Sequence, residues 1–120
     1  MEHSKRKAIS FIAACLINSY KYTAIYDYES SNYTNFSGDV GFDKVNIYDY
    51  GRSSYLTGNE SSGGISIYDY ATSQYIQLKI EGNKFNGYDY GTSSYYNGTI
   101  NSKSISFYDY QDGKYYNFSV

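Results

Sequence analysis

Five carboxylates recur along this chain at an almost fixed interval. Asp27, Asp49, Asp69, Asp89 and Asp109 each stand between two tyrosines, and the steps between them are 22, 20, 20 and 20 residues. A carboxylate can act as a general acid or base, ligate a hard cation, or accept hydrogen bonds from a turn. Each of the five is followed by turn-like residues, such as Gly51-Arg52-Ser53-Ser54 and Ala71-Thr72-Ser73-Gln74. Pinning that turn is the role expected of them. Calcium asks for about six to eight oxygens at ~2.3–2.6 Å. Equivalent residues of neighbouring hairpins lie two strands apart, about 9.6 Å, so two such carboxylates do not share an ion and no metal site is expected.

Other reactive types are scarce. His3 is the sole histidine and falls in a terminus expected to be loose; Cys15 is the sole cysteine, read as a buried apolar thiol. No intrachain disulfide or cysteine metal cluster can form. No nucleophile motif, phosphate loop or metal-ligand cluster is present. An active site is normally a departure from a repeat, whereas the aspartates are the repeat. The expectation is a non-enzymatic chain without a cofactor.

The tyrosines are the other regular feature. The chain holds 19 tyrosines, 6 phenylalanines and no tryptophan. Seven residues after the first tyrosine of each Tyr-Asp-Tyr comes another: Tyr33, Tyr55, Tyr75, Tyr95 and Tyr115. Tyrosine offers a flat apolar face and a hydroxyl, which suits protein partners and sugar rings. Cross-strand tyrosine pairs also stabilise a sheet by roughly 0.2–1 kcal/mol each. The candidate binding face comprises Tyr48, Tyr50, Tyr55, Tyr68, Tyr70, Tyr75, Tyr88, Tyr90 and Tyr95.

These residues need elements to hold them. Apolar residues lead into each motif with one-residue gaps, as in Val45 and Ile47, Ile65 and Ile67, Ile105 and Phe107. A period of two means strand. Alternation resumes after the turn in Ile76, Leu78 and Ile80. With Tyr70 set opposite Tyr75 across a four-residue loop, Asp69 faces Ile76, Ile67 faces Leu78 and Ile65 faces Ile80. One face is then apolar apart from the aspartate, and the other carries tyrosines and polar residues. The linkers Glu81-Gly82-Asn83-Lys84 and Asn101-Ser102-Lys103-Ser104 read as further four-residue turns, so each unit alternates strands of six with turns of four.

The expected fold is all-β with an N-terminal helix. About ten short strands form an up-and-down antiparallel meander, five hairpin repeats in all, curled or closed as a barrel around that helix. A β-solenoid with 20-residue coils is the alternative. It would stack the five aspartates about 4.8 Å apart in a repelling ladder, which favours the meander. Gly58, Gly87 and Gly98 fall at inward positions and are expected to make room for the helix backbone. The second copy departs most from the pattern: Glu60 occupies an apolar slot and Ser61-Ser62-Gly63-Gly64 reads as a looser turn. The first copy carries two extra residues around Gly38-Asp39-Val40-Gly41.

Residues 1–20 differ from the repeats at 21–120, within a chain read as a single domain, 1–120. Lys5-Arg6-Lys7 precedes the apolar run Ala8 to Ile17. One reading is a buried helix with Ser4 as its N-cap, although basic residues in the first turn oppose the helix dipole. The other is an export signal, since Ile12-Ala13-Ala14-Cys15 resembles a bacterial lipoprotein cleavage box. The first reading implies a cytoplasmic protein, the second an envelope lipoprotein cleaved before Cys15. Neither supplies the roughly 20 apolar residues of a membrane span.

Charged residues are few, 18%, and the net charge is −2. Without a basic excess, no nucleic-acid partner is expected. Aromatic hairpin repeats of about 20 residues resemble, in period and plan, the choline-binding repeats of cell-wall proteins and the MORN repeats. The Gly-Trp element of the first and the Gly spacing of the second are missing, so neither lends a function. The expected role is a protein-interaction or structural module, with self-association through free sheet edges. A glycan-binding envelope protein is the alternative.

Overall fold

The computed structural model describes residues 1–120. A helix, α1 (His3–Asn18), comes first. Ten strands follow: β1 (Ala24–Asp27), β2 (Asn32–Val40), β3 (Lys44–Asp49), β4 (Ser54–Ser61), β5 (Gly64–Asp69), β6 (Gln74–Glu81), β7 (Lys84–Asp89), β8 (Ser94–Asn101), β9 (Ser104–Asp109) and β10 (Lys114–Ser119). Each strand pairs antiparallel with its neighbours in sequence, and β1 pairs with β10, which closes the sheet into a barrel. The meander holds and the solenoid does not. The seam is short, joining Tyr26 to Ser119 and Asp27 to Phe118, and the part of β2 beyond Asn35 pairs with β3 alone.

The barrel is wound around its own helix. Residues Ala8 to Leu16 are all buried. Nine consecutive residues make two and a half helical turns, so no face of this stretch meets solvent. Eight strands leave room only for side chains, and a wider barrel admits a helix. Ala8, Ser10, Ala13 and Ala14 keep that helix thin. Ile9, Phe11, Ile12 and Leu16 fill the gaps against inward residues such as Ile25, Phe36, Ile47, Leu56, Ile67, Leu78 and Phe107.

Alternation along the strands sorts inside from outside. On β5, Ile65, Ile67 and Asp69 are buried, while Ser66 and Tyr68 between them are partly exposed. The outward residues away from the tyrosines are polar, for example Gln77, Lys79, Asn86, Asn97 and Ser106. An apolar inside and a polar outside are the reverse of a lipid-facing barrel. No helix is long and apolar enough to cross a membrane.

The expected faces are right, but the register differs by two residues. Tyr68, not Tyr70, stands opposite Tyr75, with Ile67 opposite Ile76 and Ile65 opposite Leu78. A shift of two keeps every side chain on its face, so the hydrophobic pattern alone could not detect it. The four-residue turn is therefore Tyr70 to Ser73. Its last residue adopts a left-handed conformation, as do Ser31, Ser53, Ser93 and Gly113 in the other copies. The opposite turns contain two residues, not four, since Glu81 pairs directly with Lys84. Each regular unit thus runs six strand, four turn, eight strand, two turn.

Four further expectations are corrected. The second copy has no looser turn: Ser62 and Gly63 form a tight two-residue hairpin, both with positive φ. Glu60 stands opposite buried Ile65 yet is itself exposed, so no burial penalty arises. The inward glycines do not make way for the helix. A Cβ on Gly87 would meet the Tyr96 hydroxyl oxygen at 2.4 Å, and one on Gly98 the Phe85 ring at 2.1 Å. These glycines hold large rings of the facing strand instead. The helix begins at His3, with Glu2 in the N-cap position and no side-chain cap, so Ser4 lies inside the helix and is not its cap.

Candidate functional site

Tyr-Asp-Tyr is three residues of strand end, and strand geometry sends their side chains to opposite faces. The aspartate points into the barrel and the tyrosines point out. Two concentric rings result at one end of the molecule.

The inner ring is built from Asp27, Asp49, Asp69, Asp89 and Asp109, none more than 1% exposed. Each accepts a hydrogen bond from the backbone N–H two residues on, at Glu29, Gly51, Ala71, Gly91 and Gln111. The hydroxyls of Ser30, Thr72 and Thr92 donate to the second oxygens of Asp27, Asp69 and Asp89. Such bonds turn the chain sharply at a strand end.

Buried carboxylates also need counter-charge. The first turns of α1 supply it. Lys5 Nζ lies 3.1 Å from Asp89, Arg6 pairs with Asp109 at 2.9 Å and with Asp112 at 3.1 Å, and Lys7 lies 3.7 Å from Asp27. The two remaining carboxylates share Arg52, which reaches Asp49 and Asp69 at 2.8 Å each. His3, in helix and not in a loose terminus, hydrogen-bonds Asp27 at 2.6 Å. Arg6 donates to His3 Nδ1, which leaves Nε2 as the donor to Asp27. The Arg6 guanidinium also lies over the Tyr116 ring at 3.9 Å.

Burial disfavours the charged form of Asp27, but the bonds from Ser30, His3 and Glu29 N–H outweigh it and hold its pKa below the usual range. Arg52 is likewise disfavoured by burial, and its bonds to Asp69 and Asp49 raise its pKa nonetheless. The helix dipole adds to this attraction, since its positive end faces the carboxylate ring. Basic residues that oppose the dipole in an isolated helix are here where the ring requires them.

The outer ring is a belt of tyrosines. In every repeat three rings pack together. Tyr68 meets Tyr70 edge-on at 4.7 Å and Tyr75 at 4.9 Å. Tyr48 with Tyr50 and Tyr55, and Tyr88 with Tyr90 and Tyr95, repeat that geometry. The central ring of each triad is half-buried. The outer two are 53–66% exposed in these three copies. Neighbouring triads are tied through the backbone: Tyr70 N–H donates to Tyr55 O and Tyr90 N–H to Tyr75 O.

The nine candidate tyrosines therefore form three adjacent triads. Closure adds two more, Tyr26 with Tyr28 and Tyr33, and Tyr108 with Tyr110 and Tyr115. The sequence treats these as outer copies; the barrel makes them equal members of a ring. Sequence reasoning also missed Lys5, Arg6, Lys7 and Arg52 as partners of the aspartates. A signal was there: five acidic side chains on an apolar face require buried cations, and the chain has one basic cluster. Among side chains there is no group of three or more histidine, cysteine or acidic residues placed to hold a metal ion. Comparison with models of protein families, with curated proteins and with solved structures finds no match.

Proposed function

We propose that this chain is a non-enzymatic interaction module that presents the tyrosine belt to a protein partner. One observation carries the reading: ten tyrosines, each more than half exposed, ring one end of a closed barrel. Tyrosine is a favoured interface residue because it buries a large area and has few torsions to freeze. Here the rings are already held edge-to-face, so less freedom is lost when a partner covers them. The sheet is closed over most of its strands, which leaves little edge for a partner strand to pair with. Recognition is then mainly by side chains, with another protein or a second copy of the chain as the partner.

A photo-crosslinking amino acid tests this at position 75 in the belt, with position 79 on the polar wall as comparison. In cells of the native host, position 75 is expected to capture a discrete protein that position 79 does not. Equal capture at both positions counts against the belt.

A glycan is the second reading, favoured by grooves that recur on successive repeats. One of about 350 Å³ lies between Asn46, Tyr48, Tyr50 and Tyr55. Another of about 440 Å³ lies between Thr57, Asn59, Ser66, Tyr68 and Tyr70. Aromatic faces beside amide and hydroxyl groups suit sugar rings. A glycan screen in which Tyr70→Ser abolishes every retained ligand would favour this reading over the first. The lipoprotein form of it has less support, because cleavage before Cys15 would remove the helix that fills the barrel.

A further inference from the structure

The end of the barrel away from the belt holds the one marked break in the repeat. Regular copies turn there through two residues. The first copy instead has a nine-residue β2 and a three-residue turn, Gly41 to Asp43. Gly38 sits in this extension with φ +112°, and a Cβ on it would meet Asn46 O at 2.2 Å. Only glycine permits that backbone. The extra residues stand away from the end of α1 and leave a cavity of about 470 Å³. That lies within the roughly 300–1,000 Å³ usual for small-molecule sites.

Its walls are aromatic on three sides. Phe11 and Phe36 stack at 4.3 Å on the inner side, and Tyr20 and Tyr22 lie tilted at 4.6 Å on the segment leaving the helix. Phe42 on the extended turn forms the opposite rim. Tyr20 is 62% exposed and Phe42 53% exposed. Cys15 lines the cavity, and burial pushes its thiol up to about 11, so it stays uncharged. At the mouth Lys21 and Asp39 neutralise each other at 3.3 Å. The site therefore attracts neither an anion nor a cation.

We infer that this cavity binds a small, uncharged, planar aromatic molecule, stacked among these rings with its edge toward the Lys21–Asp39 pair. A flat ring matches these three aromatic sides by offset and edge-to-face contact. An alkyl chain would gain only burial. This site is independent of the tyrosine belt.

Fluorescence titration of the full chain with 1-aminoanthracene tests the proposal, with 2-naphthol and 1-decanol as competitors. Saturable binding at one site is expected, with displacement by 2-naphthol at lower concentration than by 1-decanol. Phe42→Ala and Tyr20→Ala should each weaken binding about two- to tenfold. Both side chains are exposed, so the thermal midpoint should not move. Tyr115→Ala, in the belt at the far end, should leave binding unchanged. Alkylation of Cys15 should slow when 2-naphthol is bound, an independent readout at the sole cysteine. Absence of saturable binding, indifference to both rim substitutions, or loss in Tyr115→Ala overturns the site. Displacement by 1-decanol in preference to 2-naphthol overturns the aromatic class.

Discussion

The two ends of this barrel are made from the same repeat and differ in what the helix brings to them. At the belt end α1 presents Lys5, Arg6 and Lys7 to five buried carboxylates, and the mouth is shut by ion pairs. At the other end α1 stops at Asn18 with Ser19 in a left-handed cap, and the extended first copy leaves an aromatic cavity. One end is regular and closed by buried charge; the other is broken at its first copy, where aromatic rings line the opening. Regularity here serves closure of the barrel, and the break in it makes room.

The comparison is most severely tested by removing the helix. A chain beginning at Ser19 keeps every repeat but loses the plug and the counter-charges together. It should show no cooperative thermal transition by circular dichroism. A cooperative transition would mean that the strands alone specify the barrel.

Next in size is the charged end by itself. Arg6→Ala leaves buried Asp109 with only the N-terminal ammonium, 3.6 Å away, and should destabilise the fold by about 3 kcal/mol in urea titration. Removing both charges, in Arg6→Met with Asp109→Asn, should cost clearly less than the two single losses added together. Additive losses would show that the pair does not act as a unit.

Acid should act on the same end. Asp27 has a lowered pKa in the folded chain. Its contribution to stability is therefore present above the unfolded value of about 3.9 and disappears as pH falls through the lower folded value. Stability measured across pH 2–6, a range set around that value, should fall less steeply in Asp27→Asn than in the natural sequence. Parallel curves would remove Asp27 from the account of acid sensitivity.

A smaller effect belongs to the middle of the helix. Ser10 is fully buried and its hydroxyl has no hydrogen-bond partner. Ser10→Ala should stabilise the protein by about 1 kcal/mol, since it removes an unpaired polar group and improves helix propensity. Loss of stability would mean that the hydroxyl is satisfied in solution.

The smallest effect is expected on the outside. Tyr75→Ser removes one cross-strand edge-to-face contact and should cost roughly 0.2–1 kcal/mol by thermal melting. A loss as large as that of Arg6→Ala would make the belt a structural feature first and a surface second.

Much of this architecture was legible from spacing alone. Ile65, Ile67, Ile76 and Leu78 alternate with polar residues, and that pattern determined which side chains face inward. The 20-residue period determined the hairpins and their number. The nine-residue run of buried positions in α1 was foreshadowed by apolar residues on every helical face. The pattern could not determine the pairing of Tyr68 with Tyr75, because a shift of two residues preserves both faces. Nor could it tell a two-residue turn from a four-residue one at Gly82-Asn83, where only backbone pairing decides.

The tertiary structure alone decided three things. Closure between β1 and β10 turned the first and last copies into full members of the ring, because strand curvature around a core is a property of the whole sheet. The partnership of Lys5 with Asp89 and Arg6 with Asp109 joins residues 84 and 103 positions apart, a distance that local pattern does not span. The aromatic cavity lies between the end of the helix and the extended first copy, two segments that only packing brings together. The sequence determined periods and faces, which are local and set by covalent geometry; closure, charge pairing and the cavity depend on which segments meet, and that is settled only when the chain packs.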